Sequence, residues 1–145
     1  MKFWFRCLAI VLFYHSISVA GANSFWPTTQ EWSDIRVVIQ SQLDAFERDD
    51  DMAAYSYAAP VVRQRFPTQE AFMKMVREKY AAVYRPREVK FLTPSIIGSQ
   101  IMQGIEFMSE ESLPMVAIFT MERQEDKTWK IASCDLMPSP RKIAT

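Results

Sequence analysis

Histidine occurs once in this chain, as His15, and cysteine twice, as Cys7 and Cys134. His15 and Cys7 both fall within MKFWFRCLAIVLFYHSISVAGA, where Lys2 and Arg6 precede an apolar run over 7–14 and Ala20-Gly21-Ala22 supplies a small-x-small cleavage pattern. That layout reads as a secretory signal peptide. The run is shorter than the roughly 20 residues a spanning helix needs, His15 and Ser16 interrupt it, and no cysteine follows the small residues to carry a lipid. Residues 1–22 are therefore expected to be removed after Ala22, with Ala20 as the alternative site. The mature protein is expected to be secreted or periplasmic.

Without that segment the chain has no histidine and a single thiol. Ser-His-Asp, Cys-His and histidine-zinc chemistries each need a residue it lacks, and no metal site or other cofactor is implied. An internal disulfide is excluded although the compartment would permit one, so a packed core must hold the domain together. Charge of one sign is also missing: basic and acidic residues balance in the full chain, and losing Lys2 and Arg6 leaves a slightly acidic remainder. Nucleic acid is a poor partner for such a surface. No later apolar run is long enough to span a membrane.

Repeats and low-complexity tracts are absent, and the residues divide into a helical half followed by a strand half, the order of an α+β domain. Thr28 or Thr29 caps a first helix whose apolar residues Trp32, Ile35, Ile39, Leu43 and Phe46 recur at spacings of three and four. Residues 52–59 read as a short helix closed by Pro60, 61–66 as a further turn or two, and 67–84 as a helix with Phe72, Val76, Tyr80 and Val83 on one stripe. Arg85-Pro86 ends it, because the residue before proline is pushed out of the helical region.

From residue 88 the period changes to two, and four antiparallel strands are expected over 88–97, 100–108, 114–124 and 128–137. The third, MVAIFTMERQ, is apolar on both alternating sets, whereas an antiparallel sheet usually wets one face. Helices would cover one side, and the other would wall a cavity or meet a second copy, for which a two-fold homodimer is the default. The domain layout expected is a signal peptide over 1–22, one curved, cone-like α+β domain over 23–140 and a tail over 141–145.

Candidate sites are few. Asp49-Asp50-Asp51 lacks the alternate spacing, glycine and distal glutamate of a calcium loop, and reads instead as a cap between two helices. Cys134 alternates with Ala132 and Leu136 as a core position, with an intermolecular disulfide as the alternative. The chemistry left open is a strand carboxylate, Glu106 or Asp135, acting with a phenol from Tyr55, Tyr57, Tyr80 or Tyr84. Against it stand solvent-facing carboxylates paired with Lys130 or Arg123, and tyrosines that simply pack. Arg85, Arg87 and Lys90 form a basic cluster that would suit an anion, favour a helix C-terminus or pair with Asp49 to Asp51.

Three segments, VIQSQLDAFERDDDMAAYSYAAP, FMKMVREKYAAVYRP and MERQEDKTWKIASCDL, together resemble the cone-shaped α+β fold of the nuclear transport factor 2-like superfamily. Within it the chain resembles an uncharacterised family of bacterial secreted domains. The resemblance implies a cavity that in some members holds an acid and tyrosine donors, and in others a noncatalytic binding or dimerisation surface. It directs Tyr55 or Tyr57 toward that cavity, and it carries no catalytic motif residue by residue. The leading expectation is a noncatalytic exported module, dimeric through its sheet, that binds a small apolar molecule or a protein partner. The rival is an isomerase- or dehydratase-like enzyme using Asp135 or Glu106 with Tyr55 or Tyr84.

Overall fold

The computed structural model describes residues 26–140; the expected signal peptide and tail lie outside them. Thr28 caps the first helix, α1 (Thr29–Glu47), through a reciprocal box in which its hydroxyl accepts from the Glu31 N–H and the Glu31 carboxylate accepts from the Thr28 N–H. Ile35, Ile39, Leu43 and Phe46 are buried along one face of α1, each contributing about 1.5–3 kcal/mol of transfer free energy.

Helix α1 ends in a Schellman turn: the Asp50 N–H donates to Ala45 O at 2.9 Å and the Asp49 N–H to Phe46 O at 3.1 Å. Asp49 takes the left-handed φ of 56° that glycine usually supplies there. The Asp50 carboxylate then caps α2 (Asp51–Ser56), accepting from the Ala53 N–H at 3.0 Å. Pro60 opens α3 (Pro60–Arg65) rather than closing the helix before it, because its missing N–H and fixed φ suit a first helical position. The helix expected over 67–84 is two: α4 (Gln69–Lys79), capped by Thr68, and α5 (Ala81–Tyr84), with Tyr80 at the break.

Five strands follow where four were expected: β1 (Arg87–Phe91), β2 (Ser95–Ile97), β3 (Gln100–Met108), β4 (Pro114–Arg123) and β5 (Trp129–Pro138). Strands β1 and β2 both pair antiparallel with β3, and the residues between them, ending at Pro94, interrupt one edge strand into two pieces. Along the sheet the order is β1-β3-β4-β5, all antiparallel.

Two hairpins share one device. Residues 110–112 and 125–127 are three-residue loops whose last residue, Ser112 at φ 62° or Lys127 at φ 68°, adopts the left-handed conformation, with Ser109 N–H to Leu113 O and Gln124 N–H to Thr128 O closing the ladders. Neither loop has a glycine; in the second, Asp126 compensates by accepting from the Thr128 N–H and hydroxyl.

The helices cover one sheet face, onto which Ile101, Gln103, Ile105, Phe107, Phe119 and Met121 point and are buried. Buried Gln103 donates to Leu92 O at 2.7 Å and Gly104 O at 2.9 Å, fastening the edge strand where its ladder is interrupted. On the other face Leu92 and Ile118 close over Gly104, where an added Cβ would lie 3.2 Å and 3.1 Å from their methyls. Met102, Ile118 and Thr120 are half-buried there.

Candidate functional site

A cavity of about 700 Å³ opens between α3, α4 and strand β5, within the range of small-molecule sites. Its walls are apolar: Phe46 from α1, Val62 and Phe66 from the α3 region, Phe72 and Val76 from α4, and Phe119 and Ile131 from the sheet. The stripe that makes α4 amphipathic supplies one wall, because its spacing of three and four turns Phe72 and Val76 toward the sheet. Gln42 adds a polar group to this lining, its Nε2 held by Ala54 O at 3.0 Å. Arg65, Lys74, Glu78, Lys79 and Asp135 stand around the opening, where Lys74 and Glu78 pair at 3.9 Å.

Tyr80 is the one expected tyrosine that lines this space. Its phenol is pushed up, first by burial and then by Cys134 and Asp135, with Arg65 opposing. Cys134 lies beside it, and desolvation pushes its thiol up to about 12. The thiol packs half-buried against the core at the cavity wall, short of the fully buried core position its alternation suggested.

Tyr55 and Tyr57 do not line the cavity. The Tyr55 hydroxyl donates to Phe66 O at 2.6 Å, its ring lies 5.5 Å from Phe72, and the Arg63 guanidinium sits 4.8 Å over its face. Tyr57 packs half-buried against the core, and its carbonyl accepts from the Ile131 N–H. Both are committed to holding the segment around α2 and α3, which is why the direction expected from the resemblance fails for them.

Tyr84 belongs to the aspartate corner instead. Its hydroxyl donates to Asp49, whose carboxylate also receives Arg85 at 3.0 Å, while Arg85 donates to Glu47 O. The Arg77 and Arg85 guanidinia flank its ring at 5.6 Å and 5.3 Å, and Arg77 pairs with Asp51 at 2.8 Å. Asp49 is held below its ordinary value, first by the Tyr84 hydroxyl and then by Arg85, and Tyr84 is raised by burial and by Asp49. The result is a charged clasp that ties the end of α1 to the end of α5.

The two strand carboxylates are not gathered with the phenols of the rival reading. Glu106 sits half-buried across from Lys90 on the face away from the helices and accepts from the Ser139 hydroxyl at 2.7 Å. Asp135, paired in register with Ile118, is exposed at the cavity rim. The basic residues are likewise divided. Arg85 serves the clasp, Arg87 grips the β3–β4 turn through Ser109 O, Glu110 O and the Ser112 hydroxyl, and Lys90 is exposed on β1. Arg85 and Arg87 do share a shallow cleft of about 280 Å³ with Glu47 and Glu110, two acids that offset them.

Sequence reasoning missed Gln42, Arg65, Lys74 and Lys79 as cavity residues. Gln42 had a signal, since it occupies the apolar stripe of α1 beside Leu43. The cations had none, because helix periodicity places them on the rim without saying what lies across from it. Among the described residues no group of three or more potential ligands could hold a metal ion, and no helix is long and apolar enough to cross a membrane.

Comparisons with curated proteins and with solved structures return no match. A family match does exist: it runs over residues 28–144, from the cap of α1 past the end of β5, so the chain belongs to the family described as Domain of unknown function (DUF4864).

Proposed function

We propose that this chain is an exported, noncatalytic binding module whose cavity between α4 and β5 receives an apolar guest. The observation that carries the reading is the combination of size and lining: about 700 Å³ walled by phenylalanines and aliphatic side chains, with charge confined to the opening. Export rests on the character of residues 1–22. A cone-like fold of the nuclear transport factor 2-like type is part of the same reading, supported by helices first, an antiparallel sheet after, and a cavity between them. Self-association through the sheet face that carries Met102 and Ile118 completes it, supported by the half-exposure of Met102, Ile118 and Thr120 there.

The enzyme alternative has less support, because the Tyr55 and Tyr84 hydroxyls donate to Phe66 O and Asp49 while Asp135 faces solvent. The test is a titration with the neutral apolar dye N-phenyl-1-naphthylamine, comparing the wild type with Ala71→Trp. Ala71 is exposed at the cavity lining, so the indole obstructs the opening without entering the core. Saturable binding weakened at least tenfold by the substitution supports the reading; dye uptake that ignores the substitution counts against it.

A further inference from the structure

The cavity presents the edge of β5, and not only one face of it. Five consecutive residues, 131–135, line the space, whereas a strand turned face-on would contribute alternate residues only. This edge already forms a ladder at its start. The Ala59 N–H donates to Ile131 O and the Ile131 N–H to Tyr57 O, both at 2.9 Å, in a single parallel bridge. The pairing stops because the chain turns into α3 at Pro60, where the Ala59 carbonyl accepts from the Val62 and Arg63 N–H groups instead of from β5.

Beyond Ile131, no strand pairs with that side of β5 among the described residues. Proteins blunt such edges with lysine, proline or a bulge. Here Lys130 and the bulge opposite Thr120 and Met121 come before the open stretch and Pro138 after it, so within residues 133–137 (SCDLM) the Asp135 charge alone guards the edge.

We propose that this edge is a docking strip for an extended acidic segment of a partner protein, which adds to the sheet between β5 and α4. A groove bounded by an edge strand and a helix takes peptides in this way: main-chain hydrogen bonds supply affinity, and alternate side chains fill the pockets beside the strand. Alternate apolar side chains of the partner would enter the space over Cys134, Phe72 and Val76, and the intervening ones would face the rim. The rim selects the charge. Lys74 and Glu78 pair at 3.9 Å and cancel, leaving Arg65 and Lys79 against Asp135, an excess of one positive charge that favours carboxylates.

This inference rests on the cavity being a binding site, and the experiment separates the two. The probes are an eight-residue peptide alternating valine with glutamate, the same peptide with every second amide N-methylated, and N-phenyl-1-naphthylamine. Strand addition predicts that the unmodified peptide slows hydrogen exchange at alternate amides within 133–137 at least tenfold. It also predicts binding at least tenfold weaker after N-methylation, and weaker again for the exposed-site variant Lys79→Glu. Equal binding of the methylated peptide overturns the inference. So does a dye that binds where the peptide does not, an outcome that leaves the apolar-cavity reading intact. Failure of both dye and peptide overturns both.

Discussion

Asp49, Asp50 and Asp51 are adjacent in the chain, yet the left-handed φ of the first separates their carboxylates. Asp49 meets Tyr84 and Arg85, Asp50 caps α2, and Asp51 pairs with Arg77. A cap was legible in the run itself, because its acids lack the alternate spacing a calcium loop needs; the clasp was not, because Tyr84 and Arg85 lie 35 and 36 residues away from Asp49. A carboxylate depressed in the folded state contributes stability that is present above its ordinary value near 3.8 and lost as pH falls through the lower folded value. Urea unfolding from about pH 5 to about pH 2 should therefore cost the wild type more stability than Asp49→Asn, which has no charge to lose. Equal acid sensitivity of the two proteins contradicts the clasp. Cys134 gives a second residue-scale test. With its thiol pushed up to about 12, the thiolate at about pH 8 is roughly a thousandfold scarcer than for a free cysteine. Iodoacetamide should label the folded protein at Cys134 slower by about that factor than the urea-unfolded protein, and rapid labelling of the folded form contradicts a desolvated thiol.

At the scale of elements, helix periodicity located α1 and the buried stripe of α4, because burial on one face imposes a spacing of three and four whatever lies opposite. Boundaries were less legible. Pro60 can end one helix or begin another, and only the chain's pairing with Ile131 through Tyr57 and Ala59 settles which. The four-strand expectation treated residues 88–97 as one element. The interruption before β2 is tolerated because the Leu92 N–H bonds Gly104 O and Gln103 bonds Leu92 O, contacts that sequence alternation does not report. The glycine-free loop at 125–127 places Lys127 at a φ of 68°, a conformation that strains a residue bearing Cβ. Lys127→Gly should stabilise the protein by up to about 1 kcal/mol, the relieved strain exceeding the added chain entropy of glycine. Chemical denaturation measures it, and a clear loss of stability would show that the Lys127 side chain holds the hairpin.

Taken whole, the molecule has two apolar surfaces with different fates. One face of β4 meets the helices; the other carries Ile118 beside Leu92 over Gly104. That both faces of β4 are apolar was legible from MVAIFTMERQ. A cavity was expected as well, but its place was not legible: it lies on the helix side, where α3 and α4 stand away from β5, and not against the sheet face the helices leave uncovered. Sedimentation should show a dimer that Ile118→Lys dissociates without changing the circular dichroism; a wild-type monomer at about 100 µM contradicts self-association with a Kd of that order or tighter. Methionine methyl resonances distinguish the cavity from the other apolar surfaces. Met75 lines the cavity, Met102 lies on the opposite sheet face and Met137 is exposed near the end of β5. On titrating N-phenyl-1-naphthylamine, the Met75 methyl should shift and saturate while Met102 and Met137 stay in place. Shifts at Met102 and Met137 with Met75 unmoved would place the apolar binding surface outside the cavity and contradict the account.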